Sequence, residues 1–493
     1  MQVLSPITPC LFKSVQLRNV LSILMIFVGC ISAGVAVAGE SAMATRIACV
    51  GDSITRGAGT DFPEWDSYPM QLQRMLGKEA YVVGNFGISG STLLNAGNQP
   101  YQKQKAFAEA LKFKPDVVVI QLGTNDTKPD NWKHKAEFIA DYRDLVRQFA
   151  ELQPRPRIYL SLPPFVGKDG YYGGINEAGI REQLPLIEQV ASESEAGVID
   201  VHGAFLNRDD LLGDHVHPNL AGATVLAKTV YAAVLGRTFD GDVPATLRSR
   251  WKDYDRVDFT VDRRPALLIS PKTAAPGNPW IWRTEFFGVE PAVDLALLEK
   301  GWHVAYLFMP NLYGAPAALE AMDGFPAYLK TNYGISPKPV LEGFSRGGLY
   351  AFNWAARRPE QVAALYVDAP VCDFKSWPAG RGQGEGSAGD WARCLKAYGL
   401  TEEQALTYPG NPVDNLAPLA AAKIPIVAVA GDADKTVPFA ENIGLVETRY
   451  RDLGGEIQVV VKPGGGHHPH SLADPTPVVN FLLKHRAASV RSP

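Results

Sequence analysis

Residues Thr45 to Gly57 read TRIACVGDSITRG: an apolar run stops at Gly51, and Ser53 stands two residues later on a turn closed by Gly57. A short apolar run bounded by glycine reads as a buried strand. A serine on the turn leaving such a strand has its hydroxyl lifted out of the sheet, where a substrate carbonyl can reach it. The same residue type is a favoured helix N-cap, so the stretch fixes a strand and a turn before it fixes a chemistry.

The same punctuation recurs downstream. Strand-like runs cover Arg46 to Val50, Tyr81 to Phe86, Asp116 to Leu122, Arg157 to Leu162 and Gly197 to Val201. Between them Phe138, Ile139, Tyr142, Leu145, Val146 and Phe149 form the stripe of a core-facing helix. A helix beginning near Ala221 closes the series. A second series has strands at Ala266 to Ile269, His303 to Phe308, Pro339 to Glu342, Ala364 to Val367, Ile424 to Ala430 and Ile457 to Val461. Alternating β and α units imply an α/β fold around mostly parallel sheets. The expected organisation is a first domain over 45–236, a linker over the charged, aperiodic stretch 237–256, and a second domain over 257–488.

The chain has 493 residues, of which 46% are hydrophobic and 20% charged, the proportions of a folded protein. Lys+Arg 48 against Asp+Glu 52 leaves no basic excess to neutralise a phosphate backbone, which argues against a nucleic-acid partner. Lys13 and Arg18 precede the apolar run Val20 to Val28 and a small-residue stretch with Ala36-Val37-Ala38, the pattern of a secretory signal over 1–38. The run is too short to span a membrane, which takes about 20 residues. Cys30, preceded by Gly29, is the alternative acceptor for a lipid anchor. Export to a periplasmic or extracellular compartment follows, and there Cys372 and Cys394 are the expected disulfide pair, with Cys49 in a buried strand.

Three further blocks complete the chemistry that Ser53 begins. Gly90, in Asn85 to Thr92, is able to present its N–H without a side chain in the way. Asn125, in Gly123-Thr124-Asn125-Asp126, falls at the end of an apolar strand, the edge where parallel sheets bind ligands. Asp214-His215-Val216-His217 places a carboxylate three residues before an imidazole, a spacing that lets Asp214 orient His217 towards Ser53. His215 is the fallback base. In this order the four blocks strongly resemble the SGNH hydrolases, or GDSL esterase/lipase family, over roughly 45–236. That resemblance implies a flavodoxin-like three-layer α/β/α domain. It makes Ser53 the nucleophile, with Gly90 and Asn125 as oxyanion donors beside the Ser53 N–H and Asp214 and His217 as the acid–base pair. The reaction requires no metal or organic cofactor.

The second series holds Gly343-Phe344-Ser345-Arg346-Gly347 between a strand and a helix, the context of a nucleophile elbow. Gly431-Asp432-Ala433-Asp434 and Gly466-His467-His468 follow later strands. The order Ser, Asp, His resembles the α/β-hydrolases over roughly 257–488. It implies a second site of Ser345, Asp434 and His467, with Asp432 and His468 competing for the last two roles. No HGGG-type motif supplies a second oxyanion N–H; Phe286-Phe287-Gly288 is the nearest stretch. Asp368 and Asp373 follow a strand and are candidates for the same cleft.

A secretory signal, an SGNH domain and an α/β-hydrolase-like domain together are similar to bacterial carbohydrate acetylesterases acting on hemicellulose, including the xyloglucan acetylesterase type. The implied partner is an acetylated polysaccharide or oligosaccharide. Trp65, Tyr68, Trp132, Tyr171 and Tyr172 fall in expected loops and are candidates for stacking on sugars. Three other readings compete: an SGNH lipase or arylesterase, an esterase with two working sites, and a carbohydrate-binding scaffold with relic triads.

Overall fold

The computed structural model describes residues 43–489. The expected signal over 1–38 and Cys30 lie outside the described residues. From Ala44 onward the chain forms one compact unit with two sheets.

The first sheet is wholly parallel. Its strands are β1 (Thr45–Gly51), β2 (Tyr81–Gly87), β3 (Val117–Gln121), β4 (Arg157–Ser161) and β5 (Gly197–Ile199), in the order β2-β1-β3-β4-β5. This is the doubly wound, flavodoxin-like order, with its switch point between β1 and β3. Every strand expected here is present. Side chains alternate across β1 and β3: Ala48, Val50, Val118 and Ile120 face helices Lys105–Lys112, Phe138–Ala150 and Glu177–Glu193. Ile47, Cys49, Val117 and Val119 face helices Tyr68–Leu76 and Leu220–Leu235. Both faces are covered, as a parallel sheet requires.

The second sheet has nine strands: β6 (Leu247–Trp251), β7 (Tyr254–Val261), β8 (Arg264–Ser270), β9 (Trp280–Arg283), β10 (His303–Leu307), β11 (Val340–Phe344), β12 (Ala364–Asp368), β13 (Ile426–Gly431) and β14 (Ile457–Lys462). Their order is β14-β13-β12-β11-β9-β10-β8-β7-β6, antiparallel at the β6–β8 end and parallel from β10 onward.

Three strands depart from expectation. β6 and the start of β7 occupy the stretch taken as a linker, and they pair through Trp251 and Tyr254 around a tight turn. Arg248 and Arg250 of β6 alternate outward, whereas in β7 Asp255 is exposed and Arg256 and Asp258 pair with each other half-buried, so hydropathy shows no clear period of two there. The next turn places both Asp262 and Arg263 at positive φ, as a two-residue type I′ hairpin demands. β9 is only four residues, too short to register as a period, yet Trp280 and Trp282 are fully buried in the core.

Cys372 and Cys394 do not pair. Both are buried free thiols, as is Cys49. Cys372 packs in the main core of the second sheet, whereas Cys394 faces a separate cluster with Tyr313, Leu349 and Phe374.

A buried ion triad ties the centre of the second sheet together. Arg283, at the end of β9, lies 3.0 Å from Asp294 and 2.9 Å from Glu342 of β11, and all three are at most 1% exposed. Its other nitrogen donates to the carbonyls of Phe286 and Val289. Burial pushes the Glu342 carboxyl well above the carboxylate range despite Arg283. Removing one partner of such a group strands the others without compensation. Arg283→Met is therefore expected to cost about 3–5 kcal/mol of unfolding free energy in urea. A triple apolar replacement with Asp294 and Glu342 should recover most of it.

Candidate active sites

Parallel pairing brings the first constellation to one edge. Gly51 is in register with Gly87 of β2 and Gln121 of β3, so the loops carrying Ser53, Gly90 and Asn125 leave the sheet side by side. Ser53 is the first residue of the short helix Ser53–Arg56. Asp52, not Ser53, is the N-cap, and its Oδ1 accepts from the Ile54 N–H at 2.9 Å. Ser53 therefore has its hydroxyl free for another partner. That partner is His217, whose Nε2 lies 2.8 Å from Ser53 Oγ. His217 Nδ1 in turn lies 2.8 Å from Asp214 Oδ2, and the other oxygen of Asp214 accepts from the backbone N–H groups of Val216 and His217.

Asp214 has a fourth donor. The Tyr172 hydroxyl reaches its Oδ2 at 2.5 Å, and the Tyr172 ring stands edge-on to His217 with centroids 5.0 Å apart. Partial burial works against charge on Asp214, but the Tyr172 hydroxyl and His217 outweigh it and hold the carboxyl down at about 2. Tyr172 adopts φ +51 and is followed by Gly173 and Gly174, which are also at positive φ. The hydroxyl's role at Asp214 has no sequence signal beyond the Gly-Tyr-Tyr-Gly-Gly run.

Buried carboxyls with no signal of their own in the sequence organise the loops that carry Asn125 and Gly90. Asp52 Oδ2 accepts from Asn125 Nδ2 at 3.4 Å, while Asn131 Nδ2 donates to the Asn125 carbonyl at 2.8 Å. Asp126 accepts from the N–H groups of Leu93 and Leu94 and so pins the loop that carries Gly90. Gly90 has φ +83, a region that side chains disfavour. His215 is turned aside at φ +67 and pairs with Asp209 at 2.9 Å, away from Ser53. The fallback role for His215 is thereby set aside.

The second constellation also assembles. Ser345 lies on a strained strand-to-helix turn between β11 and helix Gly347–Arg357, at φ +48. A Cβ at Gly343 would lie 2.8 Å from the Gly347 carbonyl, which explains the flanking glycines. Ser345 Oγ is 2.9 Å from His467 Nε2, and His467 Nδ1 is 2.7 Å from Asp434 Oδ2. Asp434 Oδ1 accepts from Thr436 and Val437 N–H groups. Geometry separates the competitors: Asp432 accepts from Gly464 N–H instead, and the His468 side chain is exposed. Asp368 bonds His470 and Ser471, and Asp373 accepts from Lys375 N–H, so neither joins the triad.

The stretch Phe286-Phe287-Gly288 follows β9, the strand paired with β11. Glu285, at its start, lies beside the elbow: a Cβ at Gly347 would be 3.2 Å from the Glu285 Cβ. Arg283 anchors the Phe286 carbonyl, and Arg346 bonds Glu285 at 3.2 Å. Glu285, rather than the Phe286-Phe287-Gly288 stretch, is thus the residue shown against the turn that carries Ser345.

Of the five loop aromatics, Tyr172 alone contacts a triad residue. Tyr68 is a correction: it opens a helix and is buried in the core. Trp65 stacks under Arg74, Trp132 packs on Phe138, and Tyr171 lies against His215.

Residues 49–225 match the model of the GDSL-like Lipase/Acylhydrolase family. The chain is 39% identical over 210 residues to an acetylxylan esterase of Xylanibacter ruminicola, covering 39% of this chain and 43% of that protein. It is 26% identical over 214 residues to a multidomain esterase of Ruminococcus flavefaciens, covering 37% of this chain and 27% of that one. The chain therefore spans less than half the length of these curated relatives. A solved carbohydrate acetylesterase from Sinorhizobium meliloti aligns with 39% of this chain and 99% of its own, at 19% identity and a TM-score of 0.33.

Burial pushes the Asp52 carboxyl up to about 7, against the Ile54 N–H and the Asn125 amide that favour its charge. Between about pH 4 and pH 7 the folded chain keeps a proton there that the unfolded chain has released, so stability falls as pH rises through that window and levels off above it. Asp52→Asn should flatten this slope by on the order of a few kcal/mol, read from urea unfolding at several pH values. An unchanged slope would show that Asp52 is ionised throughout.

Proposed function

We propose that the chain is an exported serine esterase that removes O-acetyl groups from hemicellulose, acetylated xylan or xyloglucan, through an acyl-enzyme on Ser53. The observation that carries this reading is the continuous hydrogen-bonded line from Asp214 through His217 to Ser53 at the β1–β3 switch point. Similarity to an acetylxylan esterase supports the substrate class.

In this mechanism Ser53 Oγ attacks the acetyl carbonyl as His217 Nε2 takes its proton. Asp214 fixes the imidazole and offsets its positive charge. The oxygen that becomes negative is received by the N–H groups of Ser53 and Gly90 and by Asn125 Nδ2. Asp52 holds Asn125 through one of that nitrogen's two hydrogens, leaving the other for the substrate. As the acyl C–O bond breaks, His217 gives the proton to the departing sugar oxygen, which leaves as a hydroxyl, and water repeats the cycle on the acetyl-serine. A lipase or arylesterase reading differs in acyl length, and comparing acetyl with octanoyl esters separates the two.

The second triad supports a second reading, in which Ser345, the nucleophile of an α/β-hydrolase-like domain, hydrolyses a different ester. Its φ of +48 and its bond to His467 are the observations in favour.

Acetate release from acetylated xylan oligosaccharides, followed by mass spectrometry, tests both. Ser53→Ala should lower it by about 10⁴-fold or more and Asn125→Ala by about 100-fold, while Ser345→Ala should leave it intact. Normal release by Ser53→Ala with loss in Ser345→Ala would move the deacetylating site to the second sheet. Retained activity in Asn125→Ala would remove that residue from the oxyanion set.

A further inference from the structure

Three imidazoles meet beside Ser345. The rings of His467, His468 and His470 lie with centroids 4.7 to 4.9 Å apart, and one ring nitrogen from each falls within 4.8 Å of the others. The triad needs only the first of them. Two of the three are also held in a particular way: His467 Nδ1 meets Asp434 at 2.7 Å, and His470 Nδ1 meets Asp368 at 3.0 Å. Asp368 is itself buried and fixed by the Ser471 N–H.

An imidazole that donates its Nδ1 proton to a carboxylate presents Nε2 as a lone pair, which is how metal-ligating histidines are oriented. His467 and His470 each meet this condition, and exposed His468 is able to turn to complete the set. The loop bearing them is pinned from below by Lys462, which donates to the Pro469 carbonyl at 2.7 Å. We propose that His467, His468 and His470 form a binding site for a borderline divalent cation of the zinc class, whose preference is for neutral imidazole nitrogen.

The site has a functional consequence that rests on the Ser345 reading. His467 Nε2 is the atom that would take the Ser345 proton. Once its lone pair is on a cation it accepts no proton, so cation binding silences the second triad and leaves the Ser53 triad running.

Binding and inhibition are measured separately. Full-length protein stripped of metal by a chelator is titrated with Zn²⁺ against a chromophoric competitor. One equivalent should bind, with affinity weakened about tenfold or more in His468→Ala and in His470→Ala. His468 is exposed, so its variant tests the site without disturbing the core. Absence of binding at about 0.1 mM Zn²⁺, or affinity unchanged from the unsubstituted protein in both variants, overturns the proposal. In a Ser53→Ala background, Zn²⁺ should suppress 4-nitrophenyl acetate hydrolysis, EDTA should restore it, and His468→Ala should need about tenfold more Zn²⁺. Tight binding with undiminished hydrolysis overturns the switch. A Ser53→Ala protein that hydrolyses no ester fails the Ser345 reading and leaves the binding result standing.

Discussion

Parallel pairing is the constraint on which both sites depend. Crossover connections send every strand of a parallel stretch in the same direction, so all their carboxyl ends emerge along one edge. In the first sheet that edge gathers loops from β1, β2 and β3, whose last residues Gly51, Gly87 and Gln121 are in register. In the second it gathers the turns after β11, β13 and β14. Apart from the Arg283–Asp294–Glu342 set, both faces of each sheet pack mainly against apolar side chains, so the reactive polar groups collect where the strands end. Site assembly is therefore a by-product of topology, refined by a few buried hydrogen bonds.

Those refinements differ between the two sites. Around Ser53 the supporting groups are carboxyls kept partly protonated by burial, Asp52 at about 7 and Asp126 at about 6. They act as hydrogen-bond anchors for Asn125 and for the Gly90 loop. Around Ser345 the support is ionic: Arg283 holds the β9 loop from beneath, and Arg346 bonds Glu285 beside the elbow. The first arrangement responds to pH, whereas the second trades desolvation against attraction within a closed set of charges.

Much of this was legible in the residues. All five strands of the first sheet, the order of its four blocks and the glycine-flanked serines follow from short-range patterns that glycine and apolar runs write plainly. The sheet partners β6, β7 and β9 were not legible. In β6 and β7 arginines and aspartates interrupt the apolar positions and mimic a linker, and in β9 a Trp-Ile-Trp-Arg run is too short to show a period. Asp434 and His467 are the pair that the resemblance implies, but setting aside Asp432 and His468 requires the fold, because neighbours in sequence diverge once a loop turns. Asp52 and Asp126 hid for another reason: a buried acid beside a motif looks like part of the motif until its partners are seen. The expected Cys372–Cys394 bridge failed because setting Cys49 aside in a buried strand says nothing of which core each remaining thiol faces.

Tyr172 links events that are otherwise separate. It is 53% exposed at the mouth of the first site, yet its hydroxyl supplies a hydrogen bond to Asp214 inside it. A ligand that shifts the ring withdraws that bond, and a change in the charge of Asp214 alters how firmly the ring is held. Because such coupling is reciprocal, the position of the exposed ring and the charge of Asp214 are thermodynamically linked through a single phenol.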